Sequence, residues 1–530
     1  MSELGATTVA SVGRDKGDTA EFRIGAERGP SLAGFGVQFN QNVYASITPP
    51  PEGPITDLET KVIDLAPQFV RLFFNITQAE GQNSKLNSFE RAVALAQRTG
   101  ATINITIQSV APYVTKPEVG LKAFADLLET LVQDGATNLR WVTLQNEPNS
   151  VWKNFQPMNP KTGKPMAPSL ITPPLLNHMY RLLEAELVQR GLRDQIRFMG
   201  GDLLREQNKR VPVPDPIVFP NVANDLPKAM KPPAIDPSVD WWRKHAQEDF
   251  YFAWMAEHMA DILDAYSVHI YWFYDDSAQG AAYFQARLTE VQTIVSRLPE
   301  AGRKPVYVTE YGVRGFNKPP YTKTNPGPPA VPKPAPGYLL DNDEPMQTTT
   351  VAAFQTAWFQ LVAAQKGYVG MAKWDCYWGT YDSGKQSWFA IGQPVPLTAE
   401  GIWPLSPMYH LLWLFTHAAD TGWQRVELAN DSGLPSSELV AFGLDSDLAI
   451  LGLDSRGRTT TGIAKTSPAT VSYTIKGTQK AKLNLIVWNG AGDGTLAKAT
   501  VAVEDGVARF TVPLQAVFAL TTKELGSLPS

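Results

Sequence analysis

A chain of 530 residues exceeds what one hydrophobic core usually supports, so two domains, or one large domain with an appendage, are expected. Its 43% hydrophobic and 19% charged residues are ordinary for a globular protein, and a net charge of −5 without any Lys/Arg-rich run argues against a nucleic-acid partner. The chain has no run of about 18 apolar residues, which argues against a membrane span.

The opening stretch, MSELGATTVASVGRDKGDTAEF, lacks the apolar core of a secretory signal, so a cytoplasmic protein is the expectation. Residues 1–17 read as a flexible terminus, and 18–30 hold a strand-like segment, Thr19–Ile24, expected to join a β domain formed by the far end of the chain. From 31 to 418 short apolar runs alternate with longer amphipathic stretches, the rhythm of repeated βα units. Eight strands are predicted: Phe35–Asn40, Phe69–Phe74, Thr102–Gln108, Trp141–Gln145, Ile196–Gly200, Ala265–Tyr271, Pro305–Thr309 and Gly370–Trp374. Most are near-continuous apolar runs, as parallel strands covered on both faces require. Helices Ser88–Arg98, Leu121–Gln133 and Leu175–Arg190 stop at Gly100, Gly135 and Gly191, and the helix after the seventh strand is predicted to open at Asp343-Glu344-Pro345 and run to Gly367. Eight such units predict an α/β fold, a (β/α)₈ TIM barrel, with a doubly wound open sheet as the alternative.

Three Pro-rich insertions, Asn154–Pro174, Arg205–Val239 and Phe316–Pro345, each follow a strand. In a barrel such loops lie on the C-terminal face, where active sites are built. Over 419–530 the period changes to two, in segments such as ELVAFGL, KLNLIVW and VARFTVP, with Glu504-Asp505-Gly506 as a hairpin signal. This region is predicted to be a C-terminal antiparallel β-sandwich domain. The GAGDG run at 490–494 reads as a loop between two of its strands.

Two carboxylates stand where an apolar strand turns polar: Glu147 in WVTLQNEPNS after the fourth strand and Glu310 in KPVYVTEYG after the seventh. Strands four and seven lie roughly across a barrel from one another, so the two can face each other over its mouth. One carboxyl group of such a pair can serve as a protonated acid while the other, kept ionised by a cation and hydroxyl donors, serves as nucleophile. Arg71, inside the apolar run FVRLFF, needs a partner and is either that cation or a structural ion pair. The 14 Trp offer flat apolar faces suited to sugar rings, or simply core volume. One cysteine, Cys376, rules out an intrachain disulfide or a thiolate cluster, and no histidine pair has a metal-ligand spacing.

Asn146-Glu147-Pro148 at the fourth strand, His269-x-Tyr271 at the sixth and Glu310-Tyr311-Gly312 at the seventh, in that order, resemble clan A of the glycoside hydrolases, families 5, 30, 39 and 51 among them. The resemblance implies a retaining glycosidase on a (β/α)₈ barrel, with Glu147 as acid/base and Glu310 as nucleophile. It implies that Asn146 hydrogen-bonds the sugar 2-hydroxyl, that Tyr271 and Arg71 support the nucleophile, and that His269 lines the site near the acid/base. Trp374, or alternatively Trp378, looks like the eighth-strand Trp beneath the first sugar. The first-strand segment GFGVQFNQNVY matches no single family, so Gln38, Asn40 and Gln41 stand as subsite candidates. The implied activity is hydrolysis of oligosaccharides or small glycosides by double displacement, with carbohydrate as partner and no metal or cofactor. A transglycosylase on the same site and a catalytically silent carbohydrate-binding barrel are the alternatives.

Overall fold

The computed structural model describes residues 18–75, 84–110, 116–149, 173–204, 248–274, 278–316, 350–377, 389–392, 394, 397–458, 470–490 and 492–529. Trp378, the Asp343-Glu344-Pro345 helix start and the bulk of the three Pro-rich insertions lie outside them. In chain order the elements are β1 (Asp18–Ser31), β2 (Gly34–Phe39), α1 (Val43–Ser46), α2 (Thr56–Leu65), β3 (Phe69–Phe74), α3 (Ser84–Arg98), β4 (Thr102–Ile107) and α4 (Pro117–Gln133). Then come β5 (Leu139–Thr143), α5 (Pro173–Gln189), β6 (Arg197–Leu204), α6 (Glu248–His258), β7 (Ala265–Tyr274), α7 (Ala278–Arg297), β8 (Val306–Phe316), α8 (Thr350–Gln365), β9 (Gly370–Lys373) and α9 (Pro407–Ala418). The remaining strands are β10 (Gln424–Asn430), β11 (Ser437–Leu444), β12 (Asp447–Asp454), β13 (Thr470–Lys476), β14 (Lys482–Asn489), β15 (Leu496–Glu504), β16 (Val507–Pro513) and β17 (Ala516–Thr521). The chain divides into two compact units, one within Met1–Leu32, Thr349–Gln365 and Pro407–Ser530, the other within Ala33–Thr348 and Lys366–Ser406.

In the second of these units β2 to β9 pair in sequence order, all parallel, and close when β9 returns to β2 with Val37 opposite Lys373. Closure rules out the open sheet, and each of the eight predicted strands overlaps an observed one. The cause is legible locally: GFGVQF and FVRLFF are buried at every position, so neither strand has a face that tolerates solvent. The helices α3, α4 and α5 end before Gly100, Gly135 and Gly191, all at positive φ.

The other unit is a nine-stranded closed sheet in the order β1-β10-β11-β12-β17-β14-β15-β16-β13. The β-sandwich domain expected from the sequence takes this form, antiparallel at every strand pairing except one. Strand β1 runs antiparallel to β10 but parallel to β13, Asp18 opposite Val471 through Arg23 opposite Lys476. It fills the gap between those two strands and leaves neither with a free edge. Alternation builds the interior: Val471, Tyr473 and Ile475 of β13 and Ala508, Phe510 and Val512 of β16 are buried. Tyr473 stacks on Phe510 at 5.5 Å between centroids, and Phe518 meets both rings at 4.8 and 5.1 Å. The hairpin between β15 and β16 turns at Asp505 (φ 51) and Gly506 (φ 74), the left-handed pair that a two-residue connection demands. Helix α8 is tied to β11 through Gln365 Nε2, which donates to Glu438 Oε2 at 3.1 Å and to the Leu439 carbonyl at 3.0 Å. Among the described residues no helix is long and apolar enough to cross a membrane.

Phe518→Ala would open a cavity between Tyr473 and Phe510, and a loss of about 3–5 kcal/mol is expected, read as a lower denaturant midpoint with an unchanged slope.

Candidate active site

The site is built from the barrel strands inward, beginning with a buried cation. Arg71, on β3, is fully buried. A guanidinium has five N–H donors and cannot shed its charge, so each donor needs an acceptor. Each finds one: Nε donates to Thr106 Oγ1 (3.0 Å), Nη1 to Gln38 Oε1 (2.7 Å) and Glu310 Oε1 (2.5 Å), Nη2 to Asn146 Oδ1 (2.9 Å) and Asp202 Oδ2 (2.6 Å). One side chain thereby ties together groups from β2, β3, β4, β6, β8 and the turn after β5.

Glu310 receives a second donor on its other oxygen, the Tyr271 hydroxyl at 2.8 Å. His269 Nδ1 lies 2.9 Å from Glu147 Oε1 and 3.4 Å from Glu310 Oε2, so the imidazole stands between the two carboxylates. Glu147, Glu310 and His269 each place one such atom within 4.8 Å of the others. Glu147 sits in a left-handed backbone conformation, φ 46, a strained state for a residue with a Cβ. The turn carrying it is pinned by Asn149, whose amide forms a two-way bridge with the Leu204 backbone: Nδ2 to O at 2.9 Å and N–H to Oδ1 at 3.0 Å. Sequence reasoning did not single out Asn149.

It also missed Asp202, which is completely buried on β6 at φ 51. Besides Arg71, its carboxylate accepts from Ser267 Oγ (2.7 Å) and Thr309 Oγ1 (2.6 Å) and faces His269 Nε2 at 3.4 Å. The preceding Gly201 has φ 126, and a Cβ there would stand 2.3 Å from the Ser267 carbonyl, so the bulge that aims Asp202 inward requires glycine. The available signal was an acid in MGGDLL, a glycine pair followed by a charge inside an apolar run. The predicted strand stopped at Gly200, one residue before the bulge.

The remaining predicted residues gather around this core. Asn146 is half-buried with its carbonyl oxygen turned to Arg71, which leaves the amide nitrogen facing away from the cation. Gln38 and Asn40 are buried on and after β2; their side-chain carbonyl oxygens serve Arg71 and the Asn42 N–H, while Gln38 Nε2 and Asn40 Nδ2 have no hydrogen-bond partner among the described residues. Gln41 is buried, and its backbone carbonyl accepts from Ser88 Oγ, a structural contact. Trp374, partly exposed, meets Phe73 edge-on at 5.7 Å. Trp378 lies outside the described residues. Lys373 and Asp375, also missed, are buried beside Trp374; burial lowers the lysine to about 7 and pushes the Asp375 carboxyl well above the usual carboxylate range.

Among the described residues, Glu147, His269 and Glu310 are the group of carboxylate and imidazole atoms close enough to share an ion. Arg71, Tyr271 and His269 already donate to those oxygens, and we assign no metal to them. Burial alone would lower the His269 pKa, but the Glu310, Asp202 and Glu147 carboxylates outweigh it and push it up to about 9. For Asp202, burial is outweighed by Arg71, His269 and the Thr309 hydroxyl, which hold it well below the usual carboxylate range.

A raised imidazole contributes stability that is complete below its ordinary 6.5 and is lost as pH rises through about 9. Wild-type protein should therefore lose thermal stability between those values more steeply than His269→Gln; parallel melting curves across that range would contradict the protonated imidazole.

No family model and no curated protein matches the chain. Solved structures do. A GH30 endoxylanase from Clostridium papyrosolvens C71 is similar at 13% identity and TM-score 0.55, over 95% of this chain and 99% of that one. A thermostable GH51 α-L-arabinofuranosidase from Thermotoga petrophila RKU-1 is similar at 9% identity and TM-score 0.58, over 95% and 100%. CelM2, a bifunctional glucanase-xylanase from a metagenome library, is similar at 12% identity and TM-score 0.55, over 96% and 99%. What this chain shares with these glycoside hydrolases is their fold, an eight-stranded parallel barrel accompanied by a separate β domain.

Proposed function

We propose that this protein is a retaining O-glycoside hydrolase, with Glu310 as nucleophile and Glu147 as acid/base. The observation that carries the reading is the spacing of the two carboxylates, which bring an oxygen each within 4.8 Å. An inverting enzyme needs about 6.5–9.5 Å to seat a water between its carboxyl groups, and a retaining one about 5–5.5 Å, close to the spacing here.

The surroundings divide the roles. Glu310 accepts from a permanent cation and a phenol, one on each oxygen, which fixes its orientation for attack. Glu147 accepts from His269 alone among the described residues, and that contact places a proton at its oxygen. Glu147, Glu310 and Asp202 set three carboxylates against the two cations Arg71 and His269. Of the three, Glu147 has the fewest hydrogen-bond donors among the described residues, which suits it to the acid/base role. Glu310 Oε then attacks the anomeric carbon as the bond to the leaving oxygen breaks and Glu147 gives that oxygen a proton. In the second half Glu147 takes a proton from water, whose oxygen displaces Glu310 and restores the original anomeric configuration. In this reading the Asn146 amide nitrogen donates to the sugar 2-hydroxyl while its oxygen is held by Arg71, and the partly exposed Trp374 offers an apolar face beneath the ring.

A panel of aryl glycosides of both anomeric types tests the reading. Glu310→Gln should lower kcat by about 10³-fold or more on whichever glycoside is cleaved. Glu147→Ala should be partly rescued by azide, with a glycosyl azide of retained configuration. An inverted product from the wild-type enzyme, or near-normal turnover by Glu310→Gln, would overturn the assignment.

A further inference from the structure

We propose that Asp202 is a positioning residue for both carboxylates, acting through the two cations that hold them. Its importance for turnover rests on the glycosidase reading; the linkage between the residues does not.

Asp202 touches Arg71 with Oδ2 at 2.6 Å and faces His269 Nε2 with Oδ1 at 3.4 Å. Arg71 in turn holds Glu310 at 2.5 Å and Asn146 at 2.9 Å, and His269 holds Glu147 at 2.9 Å. Asp202 is thus one residue removed from the nucleophile, from the acid/base and from the amide assigned to the 2-hydroxyl. It is fully buried beneath them, out of reach of a substrate, so any role in turnover is indirect.

The placement is built rather than incidental. A left-handed backbone at Asp202 follows a bulge that only Gly201 fits, and two hydroxyls, Ser267 from β7 and Thr309 from β8, fix Oδ1. A buried carboxylate would ordinarily take up a proton; here the Arg71 guanidinium, His269 and the Thr309 hydroxyl keep it ionised.

The dependence of the two cations on Asp202 is unequal. Arg71 keeps its charge whatever faces it and has Glu310 as a second anion. His269 can lose its proton. Its Nδ1 side faces Glu147 from the turn after β5 and Glu310 from β8, and its Nε2 side faces Asp202 from β6. Asp202 itself faces Arg71 of β3, Ser267 and His269 of β7 and Thr309 of β8, with the Tyr180 phenol of α5 acting on it at longer range. Asp375, after β9, acts electrostatically on Glu310 and Arg71. Removing the Asp202 charge therefore takes away the counter-ion of Nε2 and weakens the proton that Nδ1 offers to Glu147.

The experiment is a pH titration of the full chain labelled with [13Cε1]histidine, with His269→Gln used to identify the resonance among the six histidines. In wild type the His269 midpoint should lie near 9. In Asp202→Asn it should fall by about one pH unit or more, the size expected for loss of a nearby opposite charge. Ser267→Ala, which removes two hydrogen bonds, one from the Asp202 N–H and one to its Oδ1, but keeps the Asp202 charge, should leave it near the wild-type value. On a cleaved aryl glycoside, Asp202→Asn should move the alkaline limb of kcat/KM to lower pH and reduce kcat more than it changes KM. A merely structural Asp202 would lower the melting temperature and leave the titration alone, so an unmoved midpoint in folded Asp202→Asn overturns the proposal. So does a wild-type midpoint at or below 6.5, which requires no variant to fold. A wild-type protein that titrates as described yet cleaves no glycoside would sink the glycosidase reading and leave the linkage standing.

Discussion

The site depends on one unavoidable fact, a guanidinium taken completely out of water. Arg71 cannot neutralise itself, so its burial is tolerable only if five acceptors and enough negative charge converge on it. Those acceptors come from strands far apart in sequence, and satisfying them brings Gln38, Thr106, Asn146, Asp202 and Glu310 to one place. Two carboxylates on one cation leave a surplus of negative charge, and His269 meets it from the neighbouring strand. Cation and anion positions in this site are mutually determined, so no member can be considered alone.

The barrel makes room for this polar centre by becoming irregular where the strands end. Register shifts fall between Gly200 and Leu203 on β6, between Val268 and His269 on β7, and between Val308 and Tyr311 on β8. Each lies next to a site residue, and a bulge re-aims the side chains that follow it. Two non-glycine residues at positive φ, Glu147 and Asp202, occur in the same region. Backbone strain of this kind costs on the order of 1–3 kcal/mol per residue and persists when surrounding bonds hold it. The Asn149–Leu204 bridge and the Ser267 and Thr309 hydroxyls are those bonds.

The β domain shows the same division between local pattern and distant contact. Strands β13 and β16 alternate cleanly, and the residues that alternate inward form the aromatic cluster around Phe510. Strand β10 was invisible in advance because Val426 is its single buried position, so no alternation marks it. It is held as a strand by its neighbours β1 and β11.

The sequence by itself determined the barrel, because apolar runs of strand length separated by amphipathic helices can bury their surfaces in few other ways. It also marked Glu147 and Glu310, since a polar residue at the end of an apolar strand stands out against its surroundings, whereas His269 and Tyr271 were marked only by the resemblance of their motif to a known family. Only the tertiary structure decided that Arg71 is shared among five groups, that the carboxylates stand within 4.8 Å, and that Asp202 links the two cations. Those outcomes depend on register between strands and on bulges such as the one at Gly201, where one extra residue turns a side chain from one face to the other. Composition and periodicity carry no record of such a shift, because it arises from hydrogen bonds made to strands that the local pattern cannot see.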